Sequence, residues 1–232
     1  MSKFHNKQFP GESVEYREKQ DELLQAESDL RRNLESVAEL RRGMPLGGKL
    51  KEDYLFQELD LNSSDTSIVK QTTFSELFVN GKNSLIIYSF MFAPDAEKPC
   101  PMCTSLPDGL NGNIPHVQQR VNFVVVAKAP IQKIKSWAEQ RGWNNFRLLS
   151  SGNNSYNKDY FTETEDANQL PALNVFRKTK DGIYHFYNTE LLYTAYDEGQ
   201  NARHVDLIWP LCNLFDLTPE GRGTNWYPKV SY

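Results

Sequence analysis

Polar and apolar positions follow a helical pattern near the start of the chain. Residues 11–42 are rich in Glu, Arg, Gln and Leu and contain no proline. Apolar residues recur there at spacings of three, four and seven, namely Leu23, Leu24, Leu30, Leu34, Val37 and Leu40. This spacing places them on one face of a helix, which Gly43 and Pro45 end. We predict one long helix whose apolar stripe is buried on its own domain or in a homodimer, with Leu23, Leu30, Leu34 and Val37 covered.

A different pattern begins at residue 85, where apolar runs of strand length alternate with helical segments. The runs are residues 85–92, 122–127, 146–150, 170–177 and 183–187. Helical segments separate the first three of these runs, and this strand–helix–strand alternation predicts right-handed crossovers and a parallel sheet. The last two flank a Lys-Asp-Gly turn and predict an antiparallel hairpin. We therefore expect an α/β fold with a central sheet of roughly four or five strands.

The amino-acid composition argues against several classes of function. The chain has 232 residues, of which 39 % are hydrophobic and 24 % charged, as in ordinary globular proteins. A formal net charge of −4 gives no electrostatic basis for binding nucleic acid. The first residues lack the apolar segment of a signal peptide, and no apolar run approaches the ~20 residues that span a membrane. With only three cysteines, the chain is not a disulfide scaffold, and a cytoplasmic location is expected.

One short motif points to a chemistry. Cys100-Pro101-Met102-Cys103 follows the apolar run at residues 85–92. A cysteine at the N-terminus of a helix is stabilised as thiolate by the helix dipole. Pro101 fits the first helical turn and restricts the backbone between the two sulfurs. Pro107 and Gly109 are expected to break this helix early.

Three interpretations of the cysteine pair remain open: a redox dithiol, half of a zinc site, or two structural thiols. A zinc site needs four ligands at suitable spacing, but the other candidates are Cys212, His116, His185 and His204, which show no such spacing. Cys212 has the apolar neighbours of a buried small side chain, and His116 is expected on the surface. No cofactor or metal is implied.

In the order of its predicted secondary-structure elements and in several motifs, the chain resembles thioredoxin-like proteins. More specifically, the chain resembles a bacterial family that is classified as a domain of unknown function and labelled as predicted dithiol–disulfide oxidoreductases. The matching motifs are Leu40-Arg41-Arg42-Gly43-Met44-Pro45, Phe90-Met91-Phe92-Ala93-Pro94 before the cysteine pair, Ala127-Lys128-Ala129-Pro130, Arg141-Gly142-Trp143, Tyr184-His185-Phe186-Tyr187 and Leu217-Thr218-Pro219-Glu220-Gly221-Arg222. Phe186 is a departure, because threonine is expected there.

The resemblance implies a thioredoxin-like three-layer α/β/α fold with an N-terminal helical extension. The expected divisions are an extension and connector over residues 1–64, the domain over 65–217, and a tail over 218–232. Cys100 would attack the disulfide of a protein or small molecule, and Cys103 would resolve the mixed disulfide. Pro101, Met102 and Pro171 would contact the substrate, with Pro171 facing the dithiol across the sheet in a cis or a trans peptide bond.

Two other functions compete with disulfide exchange. A non-enzymatic interaction module would use the fold as a scaffold and the long helix for docking. A thiol peroxidase of the peroxiredoxin type would carry Thr or Ser three residues before its reactive cysteine. Glu97 stands at that position, and its carboxylate would repel a thiolate and raise its pKa. The sequence thus favours exchange over peroxidase chemistry.

Overall fold

A computed structural model describes residues 4–59, 68–195, 207–223 and 226–230. Backbone contacts divide the chain into two units, Met1–Pro45 and Leu46–Tyr232. The α-helices are α1 (Val14–Gly43), α2 (Pro101–Leu110), α3 (Ile114–Val117), α4 (Ile131–Arg141), α5 (Tyr156–Asp159) and α6 (Leu211–Phe215). The strands are β1 (Leu55–Leu59), β2 (Val69–Thr73), β3 (Ser84–Ser89), β4 (Asn122–Ala127), β5 (Arg147–Ser150), β6 (Ala172–Thr179) and β7 (Gly182–Asn188).

The first unit is built on the predicted long helix. Ser13 caps α1, since its hydroxyl accepts a hydrogen bond from the Tyr16 N–H at 3.1 Å. The helix ends at Gly43, as its sequence indicated. It contains no buried residue, and the four side chains that were expected to be buried are 41–58 % exposed. Their burial in the interface of a homodimer stays a prediction.

The second unit contains a seven-stranded sheet with the order β2-β1-β5-β4-β3-β6-β7. Strands β3, β4 and β5 are parallel, while β6 and β7 form the antiparallel hairpin that the turn sequence predicted. The sheet is wider than expected because β1 and β2 form a further hairpin that joins the edge of β5. Strand β2 lies at this edge with mostly polar side chains, so it lacks the apolar pattern of a central strand.

The division of the chain differs from the expected boundary at residues 64 and 65. Residues 60–67, where that boundary falls, lie outside the described residues. The structure separates the units at Pro45. Strand β1 belongs to the sheet, and Lys49 forms a β-bridge with Tyr184 of β7. Most of the expected connector is therefore part of the sheet-containing unit.

Two apolar clusters cover the two faces of the sheet. Along β4, Phe123, Val125 and Ala127 belong to one cluster, and Val124 and Val126 belong to the other. The first cluster includes side chains of α2, α4 and α6, and the second includes those of α5 and the 3₁₀ helix at Phe74–Leu77. This arrangement places helices on both faces of a mixed sheet with a parallel centre. The thioredoxin-like three-layer α/β/α fold, with its N-terminal helix, is confirmed.

Candidate active site: the Cys100–Cys103 dithiol

The cysteine pair lies just beyond the carboxyl end of β3, at the start of α2. Cys100 is the N-cap residue and Pro101 is the first residue of the helix. The Cys103 N–H donates to the Cys100 sulfur at 3.4 Å, and the Cys100 N–H donates to the Met91 carbonyl at 3.3 Å. The motif thus directs the Cys100 sulfur at the backbone N–H groups and the positive end of the helix dipole.

Helix α2 does not break at Pro107, contrary to expectation, but continues to Leu110. Proline lacks an N–H, so the carbonyl of Cys103, four residues earlier, loses its usual helical partner. The Tyr88 hydroxyl donates to this carbonyl at 3.2 Å. Tyr88 is fully buried, and burial raises its pKa well above the usual value, which keeps the hydroxyl protonated as a donor. A side chain from β3 therefore supplies the missing hydrogen bond.

The two sulfurs have different environments. Cys100 is partly exposed, whereas Cys103 is only 7 % exposed. A hydrogen bond from the Cys103 thiol, followed by one from Tyr227 and others from backbone N–H groups, lowers the pKa of Cys100 to about 5 despite its burial. The Cys100 thiolate and burial raise the pKa of Cys103. At neutral pH these environments favour a thiolate at Cys100 and a protonated thiol at Cys103, one turn away.

Tyr227 is the contact that sequence reasoning missed. Its hydroxyl lies 3.3 Å from the Cys100 sulfur. Burial and the neighbouring thiolate raise the pKa of Tyr227 to about 12, so the hydroxyl is protonated and donates to the thiolate. The two residues are 127 positions apart, and no local pattern in the tail signals the contact.

Side chains of α2, α4 and α6 hold the segment that carries Tyr227. Arg141 donates to the Val230 carbonyl at 2.6 Å. Arg141 also forms a bidentate ion pair with Asp108 of α2, at 3.1 and 2.6 Å. On the other side of Tyr227, the rings of Trp226 and Phe215 meet edge to face at 4.9 Å. Residues 226–230, which the sequence predicted as part of a tail, thus belong to the site.

The predicted substrate-contacting residues fall into two places. Pro101 and Met102 lie between the cysteines in the first turn of α2. Pro171 precedes β6, whose first residue, Ala172, pairs with Ser89 at the carboxyl end of β3. The Leu170–Pro171 peptide bond is trans. Among the described residues, the hydrogen bonds of the dithiol involve α2, Tyr88, Met91 and Tyr227.

The other candidate residues are dispersed. Cys212 is buried in α6, and His116 is exposed at the end of α3. His185 is hydrogen-bonded to Asn174, and His204 lies outside the described residues. The part of the chain that the structure describes contains no group of three or more His, Cys, Asp or Glu residues that could hold a metal ion. Within the same part, no helix combines the length and apolar character needed to cross a bilayer.

Several solved structures are similar to this chain at low sequence identity. Enterococcus faecalis AhpC shares 16 % identity with a TM-score of 0.46, over 74 % of this chain and 93 % of that one. A mitochondrial 2-Cys peroxiredoxin from Plasmodium falciparum shares 17 % with a TM-score of 0.46, over 75 % and 97 %. A peroxiredoxin-like protein from Aquifex aeolicus shares 15 % with a TM-score of 0.43, over 62 % and 75 %. These likenesses carry no statement about the reaction of this chain.

A search of curated proteins found no match. A family model described as "Bacterial protein of unknown function (DUF899)" matches residues 6–232. The match spans α1, the dithiol and the C-terminal segment that carries Tyr227. It confirms the family resemblance that the sequence motifs indicated. The chain therefore belongs to this bacterial family of proteins of unknown function.

Proposed function

We propose that the protein is a thiol–disulfide oxidoreductase that uses the Cys100–Cys103 dithiol. One observation carries the proposal: an accessible cysteine with a lowered pKa and a buried cysteine with a raised pKa share one helical turn. At neutral pH a thiol of pKa about 5 is ~99 % thiolate. Thiolates are the attacking species in disulfide exchange.

The reaction proceeds in two balanced steps. The Cys100 thiolate attacks one sulfur of the substrate disulfide, which forms a mixed disulfide and releases the other sulfur as a thiolate. Cys103 then loses its proton and attacks the Cys100 sulfur. The second substrate thiolate leaves, and a Cys100–Cys103 disulfide remains. Two electrons pass from the dithiol to the substrate, and the reverse sequence oxidises a substrate dithiol.

The surroundings of the cysteines support this division of roles. The exposure of Cys100 allows a substrate sulfur to approach it. Cys103 reacts only after the mixed disulfide forms, because consumption of the Cys100 thiolate removes the main cause of its raised pKa. We propose that the substrate is a disulfide-bearing protein or small molecule, bound against Pro101, Met102 and Pro171. Nucleic acid and membranes are not proposed as partners, and the proposed location is the cytoplasm.

A trapping experiment tests the proposal. The Cys103→Ser variant should form a stable mixed disulfide through Cys100 with a disulfide substrate such as insulin, detected by mass spectrometry. The wild-type protein should reduce insulin catalytically in the presence of dithiothreitol. Cys100→Ser is the matched control and should do neither. Wild-type protein that leaves insulin unreduced, together with a Cys103→Ser variant that traps nothing, would support the scaffold alternative.

A second measurement separates exchange from peroxidase chemistry. Hydrogen peroxide is added to the reduced protein, and its consumption is followed with dithiothreitol as reductant. A disulfide exchange enzyme should reduce insulin much faster than it consumes peroxide. Glu97 is exposed and stands three residues before Cys100, where a peroxiredoxin-type peroxidase carries the Thr or Ser that hydrogen-bonds the peroxide. Faster peroxide turnover would replace the proposal with a thiol peroxidase.

A further inference from the structure

The resolving cysteine must become a thiolate in a place that water hardly reaches. Cys103 is 7 % exposed, and its side chain belongs to the apolar cluster on its face of the sheet. A buried thiolate loses most of its hydration, which raises its free energy relative to the thiol. Disulfide exchange needs this thiolate in its second step. The reaction therefore depends on hydrogen-bond donors near the Cys103 sulfur.

Tyr88 of β3 brings a hydroxyl group to this place. Its side chain is 3 % exposed and belongs to the same apolar cluster as Cys103. The hydroxyl donates to the Cys103 carbonyl at 3.2 Å, and the side chains of Tyr88 and Cys103 are hydrogen-bond neighbours as well. The hydroxyl thus lies beside two acceptors of one residue, the carbonyl oxygen and the sulfur.

Pro107 explains why the carbonyl accepts from a side chain. In a regular helix the N–H of residue 107 would donate to the carbonyl of Cys103. Proline has no N–H, and the Tyr88 hydroxyl takes its place. A hydroxyl has a single proton, so it donates fully to only one acceptor at a time. The carbonyl and the sulfur of Cys103 therefore compete for the Tyr88 proton.

The stronger of these two acceptors changes during the proposed reaction. In the reduced protein the Cys103 thiol donates to the Cys100 thiolate, so the Cys103 sulfur is uncharged and a weak acceptor. Once Cys100 is part of a mixed disulfide, its thiolate is consumed and Cys103 ionises. A thiolate is a charged acceptor and forms stronger hydrogen bonds than a neutral group does. The Tyr88 proton is then better placed on the sulfur than on the carbonyl.

We propose that the Tyr88 hydroxyl turns from the carbonyl of Cys103 to its sulfur in the resolving step and stabilises the thiolate that forms there. This inference rests on the proposed disulfide exchange. The Cys103 proton passes to a base in solution, the thiolate attacks the Cys100 sulfur, and the second substrate thiolate leaves. Tyr88 keeps its own proton throughout, because burial holds its pKa well above the usual value. The backbone N–H of Met91 is a second donor to the Cys103 sulfur.

A pH profile of the resolving step reports the ionisation of Cys103. Among the described residues, the titratable groups that face it are Cys100 in the same helical turn, Tyr88 of β3 and Tyr227 of the C-terminal segment. Cys100 does not titrate once it is part of a mixed disulfide. Both tyrosines have a raised pKa, about 12 for Tyr227, so they stay protonated near neutral pH. A change in the profile is therefore a change at Cys103.

The aromatic disulfide dithiobis(nitrobenzoate) separates the two steps in stopped-flow absorbance, because each step releases one coloured thiolate. The first release reports attack by Cys100, and the second reports resolution by Cys103. Tyr88→Phe should slow the second release far more than the first. The lost hydrogen bond should raise the apparent pKa of the second release by about one to two units. The thiolate becomes more nucleophilic as its pKa rises, so the second release should be about three- to tenfold slower at neutral pH.

A double variant distinguishes a role at the sulfur from a role at the carbonyl. Pro107→Ala introduces an N–H that can donate to the Cys103 carbonyl, as in a regular helix. Tyr88→Phe combined with Pro107→Ala therefore restores the backbone hydrogen bond but not the donor to the sulfur. The double variant should keep the slow second release and its raised apparent pKa. Tyr156→Phe is the matched control, because Tyr156 is fully buried in the opposite cluster, and it should behave as wild type.

The outcomes separate this inference from the proposed function. Wild-type protein that does not release two thiolates would refute disulfide exchange, and the role of Tyr88 with it. Two releases in the wild type, with an unchanged second release in Tyr88→Phe, would refute the role of Tyr88 alone. Recovery of the second release in the double variant, to the rate of Pro107→Ala, would do the same.

Pro107→Ala alone decides the matter if the Tyr88 variants fail to fold. The new N–H satisfies the Cys103 carbonyl, which no longer competes with the sulfur for the Tyr88 proton. The apparent pKa of the second release should therefore fall below the wild-type value. A value equal to or above that of the wild type would overturn the inference.

Discussion

Replacing Tyr227 with phenylalanine removes one hydroxyl from the dithiol and keeps the aromatic ring. The hydroxyl lies 3.3 Å from the Cys100 sulfur and donates to the thiolate. The change should therefore destabilise the thiolate relative to the thiol and raise the pKa of Cys100. Backbone N–H groups and the Cys103 thiol remain as donors, so the pKa should stay below that of a free cysteine.

The expected size of the rise in the Cys100 pKa depends on how exposed the Tyr227–Cys100 hydrogen bond is to water. A hydrogen bond to a charged group contributes about 1.5–3 kcal/mol when it is shielded from water. Tyr227 is 51 % exposed, so water replaces part of the lost bond and about 1 kcal/mol is a reasonable value. One pKa unit corresponds to about 1.4 kcal/mol. We expect the pKa of Cys100 to rise from about 5 by somewhat less than one unit.

The pH dependence of iodoacetamide alkylation measures this pKa, and the ultraviolet absorbance of the thiolate gives an independent value. Cys100 should be labelled before Cys103 and Cys212 in both proteins. Tyr16→Phe is the matched control, because Tyr16 is a tyrosine of similar exposure on α1. An unchanged or lower pKa in Tyr227→Phe would refute the role of the hydroxyl. A shift equal to that of the control would refute it as well.

Three further predictions concern the rest of the molecule. Burial raises the pKa of Glu58, but its hydrogen bonds with Arg147 outweigh burial and lower the pKa below 4.5. The stabilisation from these hydrogen bonds is present above about pH 4.5 and is lost as the pH falls through the pKa of Glu58 in the folded protein. Glu58→Gln should therefore flatten the dependence of the free energy of unfolding on acid pH, measured by denaturant unfolding. Asp108→Ala leaves Arg141 without its bidentate partner and should reduce the free energy of unfolding by about 2 kcal/mol, measured by urea titration. If α1 forms a homodimer, Leu34→Glu should produce monomers in size-exclusion chromatography with light scattering, and a wild-type monomer would contradict that expectation.

Local sequence was sufficient for the elements whose pattern is strong. Leucine spacing identified α1, because a helix of 3.6 residues per turn repeats apolar positions at three and four. The apolar run at residues 122–127 identified β4, which is buried along its whole length. The position of Cys100 at a helix N-terminus also followed from neighbours in sequence, since Pro101 starts a helix well.

Tertiary structure decided the features that depend on distant residues. Pro107 ends a helix by local rules, but Tyr88 compensates the carbonyl that proline leaves unpaired. Tyr227 reaches Cys100 across 127 positions, and a β-bulge at Phe186 sets which face His185 occupies. A short stretch of sequence encodes its own period and its own caps. The hydrogen-bond partners of the polar groups in that stretch can be residues far away in the sequence, which only folding brings close. The local sequence therefore does not show which residues they are.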